Sequence, residues 1–169
     1  MGIDSARATR LAALLRAERA SLGSVLAEAA AAAGIEAPAG LVLRGAGDVV
    51  HDLYTGTERI MERVADEFDG GPPGGAAWHR ELLRSMALDL PGNRPPLFRV
   101  TTAQALDEYL RFRLLYRNTY GFELQWTRLQ PLLERAEATW TLVHADVSSF
   151  LAFLDALAST APVPSSPAE

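Results

Sequence analysis

Apolar side chains recur every three or four residues along the C-terminal third of the chain, from about residue 127 to residue 158. They are Leu129, Leu132, Leu133, Ala136, Trp140, Val143, Val147, Phe150, Leu151, Leu154 and Leu157. This spacing places them on one face of a single long helix. Because such a helix must bury its apolar face against other helices, the sequence predicts a helical bundle.

The N-terminal half has the same periodicity. Leucine and alanine alternate with charged residues over 4–33, which predicts a long first helix. Gly34 suits a left-handed cap at its end, and Pro38 cannot continue a hydrogen-bonded turn. A second apolar stripe predicts a helix over about 46–68, which the glycine- and proline-rich segment "DGGPPGG" ends.

Two further helices complete the predicted bundle. A short third helix follows from the apolar spacing over 78–86, and either Thr101 or Thr102 can cap a fourth. The fourth helix continues into "RFRLLYRNTYGFELQW" and breaks at Gly121. No segment alternates apolar and polar residues as a strand does. The predicted fold class is therefore all-α, an up-and-down bundle of four to five helices.

Composition indicates one intracellular domain. The chain has 169 residues, of which 49% are hydrophobic, and it has no cysteine. We expect residues 1–158 to form one domain and 159–169 to be a disordered tail. The net charge of −5 argues against a broad basic surface for nucleic acid, and we expect no membrane role and a cytoplasmic location.

The sequence does not favour a metal site or another cofactor. His51, His79 and His144 fall on three different predicted helices and could converge, but no two of them have the spacing of a helical metal-binding pair. A scattered histidine is more often a hydrogen-bonded structural residue. The "DGGPPGG" loop lacks the lysine and hydroxyl residues that cradle phosphates, so it is interpreted as a linker.

Two arginines and a tyrosine lie near the end of the fourth predicted helix. Arg113, Arg117 and Tyr120 are spaced by four and seven residues, which places them on one side of a helix. Guanidinium groups so arranged match phosphate oxygens. The alternative interpretation is that these arginines face solvent or pair with Glu108 and Glu123.

Three segments carry a resemblance to a known family. "EYLRFRLLYRNTYGFEL" resembles the signature of HepT-like proteins of the HEPN superfamily, an arginine followed a few residues later by histidine and then tyrosine. "HDLYTGTERIMERVA" and "WHRELL" are similar to other helices of that family, so the resemblance covers nearly the whole domain. It implies an all-α bundle that forms a homodimer and acts on RNA as a metal-independent ribonuclease toxin. It also implies a minimal nucleotidyltransferase antitoxin that adenylylates the motif tyrosine.

The resemblance transfers roles to individual residues. Arg113 matches the motif arginine, which would hold the scissile phosphate and stabilise its additional charge. Arg111 and Arg117 would help to bind the RNA. Tyr120 matches the tyrosine that is modified, and Asn118 occupies the position of the motif histidine.

The replacement of histidine by Asn118 affects the chemistry directly. An asparagine amide does not titrate near neutrality, and general acid–base catalysis is typically worth about 10² to 10⁴ in rate. Leu114 also stands where relatives often have a polar residue. Asn118 could instead serve as a helix cap beside Gly121, or be a deliberate inactivating change of histidine. If proton transfer has another source, His79 and His51 are the first candidates.

Two functions follow from the sequence. The first is a HepT-like toxin of a toxin–antitoxin pair, with ribonuclease architecture and impaired catalysis. The alternative is a non-catalytic interaction module that uses the bundle to bind a partner protein or a nucleotide. Whether the chain is an active enzyme stays open at this point, and a neighbouring nucleotidyltransferase gene would favour the first function.

Overall fold

The computed structural model describes residues 3–36, 38–117 and 124–160. These residues form five α-helices: α1 (Ser5–Ala33), α2 (Gly40–Val64), α3 (Trp78–Ser85), α4 (Val100–Tyr116) and α5 (Trp126–Ser159). A π-helical turn, Ala65–Asp69, extends α2. In this part of the chain the backbone forms no strand, only an isolated bridge between Leu90 and Arg94. The predicted all-α class is confirmed.

The four long helices alternate in direction. Ser5 at the start of α1 donates to the carbonyl of Ala158 at the end of α5, whereas Arg19, further along α1, donates to Ser148. Residue numbers in α5 fall as those of their contacts in α1 rise, so the two helices are antiparallel. The other neighbouring helices are antiparallel by the same test. The contacts that show it are Glu18–Arg63 and Leu22–Gly56 between α1 and α2, Glu58–Arg113 and Asp48–Tyr116 between α2 and α4, and Arg99–Asp146 and Tyr109–Leu132 between α4 and α5. The bundle is therefore up-and-down, with α3 beside α2 and α4.

The core is built from the periodic residues that the sequence identifies. In α5 every residue of the predicted apolar stripe is buried except Leu157, which is partly buried. The apolar residues of the helix predicted over 46–68 are likewise buried, apart from the partly buried Val49 of α2 and Phe68 of the π-helical turn. Tyr54 of α2 and Tyr109 of α4 are among the largest fully buried side chains, so these two helices bring aromatic residues into the centre. Apolar burial at this scale is the main favourable contribution to folding.

Helix ends differ from the predictions in three places, two of them at α1 and α2. α1 starts at the predicted position, where Asp4 caps it by accepting from the Arg7 amide. Gly34 has φ −80°, so the predicted left-handed cap is wrong. Instead, the Ile35 amide donates to the Ala32 carbonyl, and a tighter right-handed turn satisfies the free carbonyl. α2 begins at Gly40, about two turns before the predicted start at residue 46.

The N-terminus of α4 is capped by another helix. The prediction of Thr101 or Thr102 as the cap is wrong, because Arg99 holds that position and no side chain of its own caps the helix. Asp146 of α5 supplies the missing acceptor, since its Oδ2 accepts from the Arg99 amide at 2.9 Å and its Oδ1 accepts from the Arg99 Nε at 2.6 Å. Thr102 is fully buried instead.

Two glycines allow close helix packing along α2. A Cβ atom on Gly56 would lie 2.6 Å from the Leu22 Cδ2 atom of α1. A Cβ atom on Gly47 would lie 2.8 Å from the Tyr116 ring and 2.9 Å from Leu124 Cδ2. These distances are shorter than side chains accept, so glycine lets α2 approach α1 on one side and the end of α4 on the other. The second approach brings α2 next to the predicted arginine motif.

α5 also has the length and apolar composition of a membrane-spanning helix. One third of the most apolar stretch of this helix is buried in the bundle. A core helix of a soluble protein meets the same criterion. In this fold α5 packs along α1 and contacts α2 and α4.

Candidate functional site

Three polar side chains meet where α2, α3 and α4 converge. Glu58, His79 and Arg113 are 3%, 7% and 6% exposed, respectively. Each comes from a different helix, so the bundle itself brings them together. We refer to Glu58, His79 and Arg113 as the polar cluster.

Glu58 is the centre of the polar cluster. Its Oε1 accepts from Arg113 Nη2 at 2.6 Å, and its Oε2 lies 2.6 Å from His79 Nδ1. Burial raises the pKa of the Glu58 carboxyl, and the charge of Arg113 opposes that rise. An arginine guanidinium stays protonated in proteins, so Glu58 and Arg113 form a buried ion pair. Breaking such a pair on one side leaves an uncompensated buried charge.

The contacts of His79 define its tautomer. A carboxylate only accepts hydrogen bonds, so Nδ1 carries the proton that it donates to Glu58. Arg113 Nη1 lies 3.2 Å from Nε2 and 3.5 Å from Nδ1. Because it is nearly equidistant from both ring nitrogens, the guanidinium lies over the imidazole rather than beyond one edge. The in-plane lone pair of Nε2 therefore points away from Arg113.

His79 is neutral in this environment. Burial and the adjacent Arg113 charge lower the pKa of His79 to about 4, with a smaller lowering contribution from Arg117. The Glu62 carboxylate acts in the opposite direction. An imidazolium would lie against a guanidinium in a desolvated site, and this explains the low pKa. At neutral pH, Nε2 is thus an unprotonated acceptor.

The predicted arginines take three different positions. Arg113 is buried, and the Glu108 carboxylate pairs with Arg135 at 2.7 Å rather than with Arg113. The interpretation that Arg113 faces solvent or pairs with Glu108 is therefore wrong. Arg117 follows the last turn of α4 and is exposed. Arg111 pairs with Asp107 at 2.5 Å on another face of α4. Arg111 is therefore separate from the polar cluster.

Part of the predicted motif lies outside the described residues. Asn118 and Tyr120 belong to residues 118–123, as does Glu123, and their predicted roles remain predictions. The structure describes the chain on both sides, up to Arg117 and again from Leu124.

Arg111 lines a separate cavity of about 580 Å³ between α4 and the start of α5. Arg128 and Arg135 also line it, so three guanidinium groups surround the space together with the carboxylate of Glu108. Phe112, stacked on the Tyr116 ring at 5.4 Å, forms an aromatic side of the cavity. Cationic and aromatic groups in one concave site suit a nucleotide or an acidic peptide.

The three histidines do not converge. His51 lies 3.3 Å from Asp52 and contacts the Tyr116 ring, whereas His144 lines a groove between α1 and α5. Among the residues described, no group of three histidine, aspartate or glutamate side chains has the arrangement of a metal site.

The polar cluster contains one residue that sequence reasoning missed. Glu58 lies within the apolar stripe of α2, one turn after Tyr54 and just before Met61. A glutamate at such a position is rarely buried without a partner. That signal indicates a buried counter-charge, but it does not identify Arg113 as the partner.

Fold and polar cluster together define an all-α bundle with a buried, arginine-centred site. Residues 45–154 match the family model described as HepT-like protein, a segment that runs from α2 to α5 and includes the polar cluster. The match covers more than half of the chain, and the protein belongs to the HepT-like family. No curated protein and no solved structure matches the chain.

Proposed function

We propose that this protein is the toxin component of a HepT-like toxin–antitoxin pair, with the architecture of a metal-independent endoribonuclease and a reduced cleavage rate. The observation that carries the proposal is the family match over residues 45–154, which contains Arg113 and the partners that orient it. We also propose that residues 1–158 act as one unit, since α1, outside the match, packs along α2 and α5.

Charge and position support a phosphate-binding role for two arginines. Glu58 fixes the Arg113 guanidinium at one place, and Arg117 adds an exposed positive charge one helical turn further on. A preorganised guanidinium stabilises the extra charge of a phosphoryl transition state without reorganising. Asn118 can donate a hydrogen bond to such a phosphate but cannot transfer a proton near neutral pH, which reduces the rate.

The proposed partners follow from membership of the family. We propose that the protein forms a homodimer in the cytoplasm and pairs with a minimal nucleotidyltransferase as antitoxin. Tyr120 would receive AMP from this partner. The added phosphodiester anion would then compete with RNA for Arg117 and Arg113.

A second candidate function is a non-catalytic module that binds a partner protein or a nucleotide. Two observations favour it: Arg113 is only 6% exposed and already paired with Glu58, and a separate cavity lined by Arg111, Arg128 and Arg135 offers another site for an anionic ligand.

Restoring the motif histidine tests the first function. The unaltered protein should bind a labelled single-stranded RNA weakly and cleave it slowly in EDTA. Asn118→His should raise the rate at least about tenfold, because it restores a group that typically contributes about 10² or more. Adding Arg113→Ala to this variant should abolish the gain. RNA that is neither bound nor cleaved by any of these proteins would favour the interaction module.

A further inference from the structure

Cleavage of RNA without a metal requires a group that accepts the proton of the ribose 2′-hydroxyl. Asn118 cannot supply it, so any residual activity of the unaltered protein needs another acceptor. Within the described residues, the side chains that share a hydrogen bond or an ion pair with Arg113 are Glu58 and His79. Glu58 is occupied by the guanidinium and by the imidazole, which leaves Nε2 of His79.

We propose that His79, oriented by Glu58, accepts the proton of the ribose 2′-hydroxyl when Arg113 holds the adjacent phosphate. This assignment rests on the proposed function and concerns the same site. It makes His79 a catalytic residue and Glu58 a positioning residue.

The depth of each side chain fits these roles. All three side chains are buried, and Glu58 at 4% is less exposed than His79 at 9% and Arg113 at 8%. A carboxylate bonded to Nδ1–H fixes the ring and stabilises the imidazolium that forms during proton transfer, as in the serine–histidine–aspartate arrangement. Trp78, whose ring centroid is 3.6 Å from that of His79, further restricts the ring.

The reaction balances with these groups. The 2′-hydroxyl proton moves to His79 Nε2 as the 2′-oxygen bonds to phosphorus. The bond from phosphorus to the 5′-oxygen breaks, and the leaving oxygen takes a proton from water. The products are a 2′,3′-cyclic phosphate and a 5′-hydroxyl end, and the imidazolium returns its proton to solvent.

Phosphate binding would strengthen the base. Arg113 of α4 and Arg117, directly after that helix, are the positive charges that lower the pKa of His79. Glu58 and Glu62 of α2 are the negative charges that face it. A bound phosphodiester offsets the two positive charges, so their effect on the imidazole weakens. The pKa of His79 should therefore rise from about 4 when phosphate is bound.

Cleavage by matched histidine variants tests the proposal. His79→Gln should lower the rate of metal-free RNA cleavage about 10²-fold or more while RNA binding is retained. His144→Gln makes the same change at an exposed position on α5 and should cleave like the unaltered protein. Equal cleavage by His79→Gln and His144→Gln would overturn the assignment. So would an unaltered protein that has no cleavage above that of RNA alone.

Glu58→Gln tests the positioning role. The amide keeps a hydrogen-bond acceptor for Nδ1–H but removes the negative charge that stabilises the imidazolium. The acid limb of the pH–rate profile should therefore move to lower pH, a change that lost stability alone would not cause. An unchanged profile would show that Glu58 does not act through His79.

NMR titration of the unaltered protein avoids any folding defect of a variant. The His79 imidazole is followed against pH with and without single-stranded DNA of the same sequence, which carries phosphates but no 2′-hydroxyl. The His79 pKa should rise in the presence of DNA. A His79 titration that bound DNA leaves unchanged would contradict the proposal.

The outcomes separate the two claims. If Asn118→His cleaves RNA and His79→Gln has no effect in the unaltered background, the toxin-type function stands and the assignment of His79 is wrong. If no variant binds RNA or DNA, the proposed function itself is wrong.

Discussion

Acidification should destabilise the protein through His79. In the unfolded chain this histidine takes up a proton near pH 6.5, whereas in the folded protein it resists protonation until about pH 4. Between these values the unfolded state binds more protons, so stability falls as the pH falls. The stabilising contribution is complete above pH 6.5 and is lost below about pH 4.

The magnitude follows from the separation of the two pKa values. A change from 6.5 to about 4 corresponds to about 3 kcal/mol, at roughly 1.4 kcal/mol per unit. Little of this should be screened by solvent, because the side chain is 9% exposed. Glu58, whose pKa burial raises, contributes in the opposite direction: its contribution is present at low pH and is lost as the pH rises.

The contribution of His79 is measured as a difference between proteins. Urea unfolding is recorded from neutral pH down to about pH 4 for the unaltered protein, for His79→Gln and for the exposed control His144→Gln. The stability advantage of the unaltered protein over His79→Gln should shrink by about 3 kcal/mol across this range. If the free energy of unfolding falls with pH by the same amount in the unaltered protein and in His79→Gln, His79 is not held neutral in the folded protein.

Glu58→Ala should lower the free energy of unfolding by about 3–5 kcal/mol in chemical denaturation, because it leaves the Arg113 charge buried without a partner. Replacing both residues with apolar ones should recover most of that loss, and a double variant as unstable as the single one would contradict the reasoning. Light scattering should report about twice 18.2 kDa for the homodimer, and a strict monomer would contradict the proposed dimer. Mass spectrometry after incubation with the cognate nucleotidyltransferase and ATP should locate AMP on Tyr120; modification that persists in Tyr120→Phe would show that assignment to be wrong.

The sequence predicted most of the fold because helix periodicity is a local property. Every predicted helix is present, and the stripes of α2 and α5 are buried where their spacing places them. Helix ends were less predictable, since local rules favoured Thr101 or Thr102 as a cap and a left-handed Gly34. In both cases a competing interaction satisfied the free backbone groups, and at α4 that interaction comes from a distant helix.

The site was harder to predict, because its partners are far apart in sequence. Spacing identified Arg113, and family resemblance assigned its role. Its two contacts lie 55 and 34 residues away, on helices whose relative rotation no local pattern specifies. His79 therefore looked like a scattered histidine and Glu58 like an interruption of an apolar stripe. Only the packing of α2, α3 and α4 brings them together.

The order of synthesis determines when the cap on α4 can form. The acceptor for the Arg99 amide is Asp146, which lies 47 residues later in the chain. At about 5–20 residues per second, a ribosome adds this carboxylate roughly 2 to 9 s after Arg99. Until then the first turn of α4 lacks its cap, so the helix that carries Arg113 is completed only once α5 has been made. A nascent or truncated chain without Asp146 would therefore have a fraying first turn of α4, at the opposite end of that helix from Arg113.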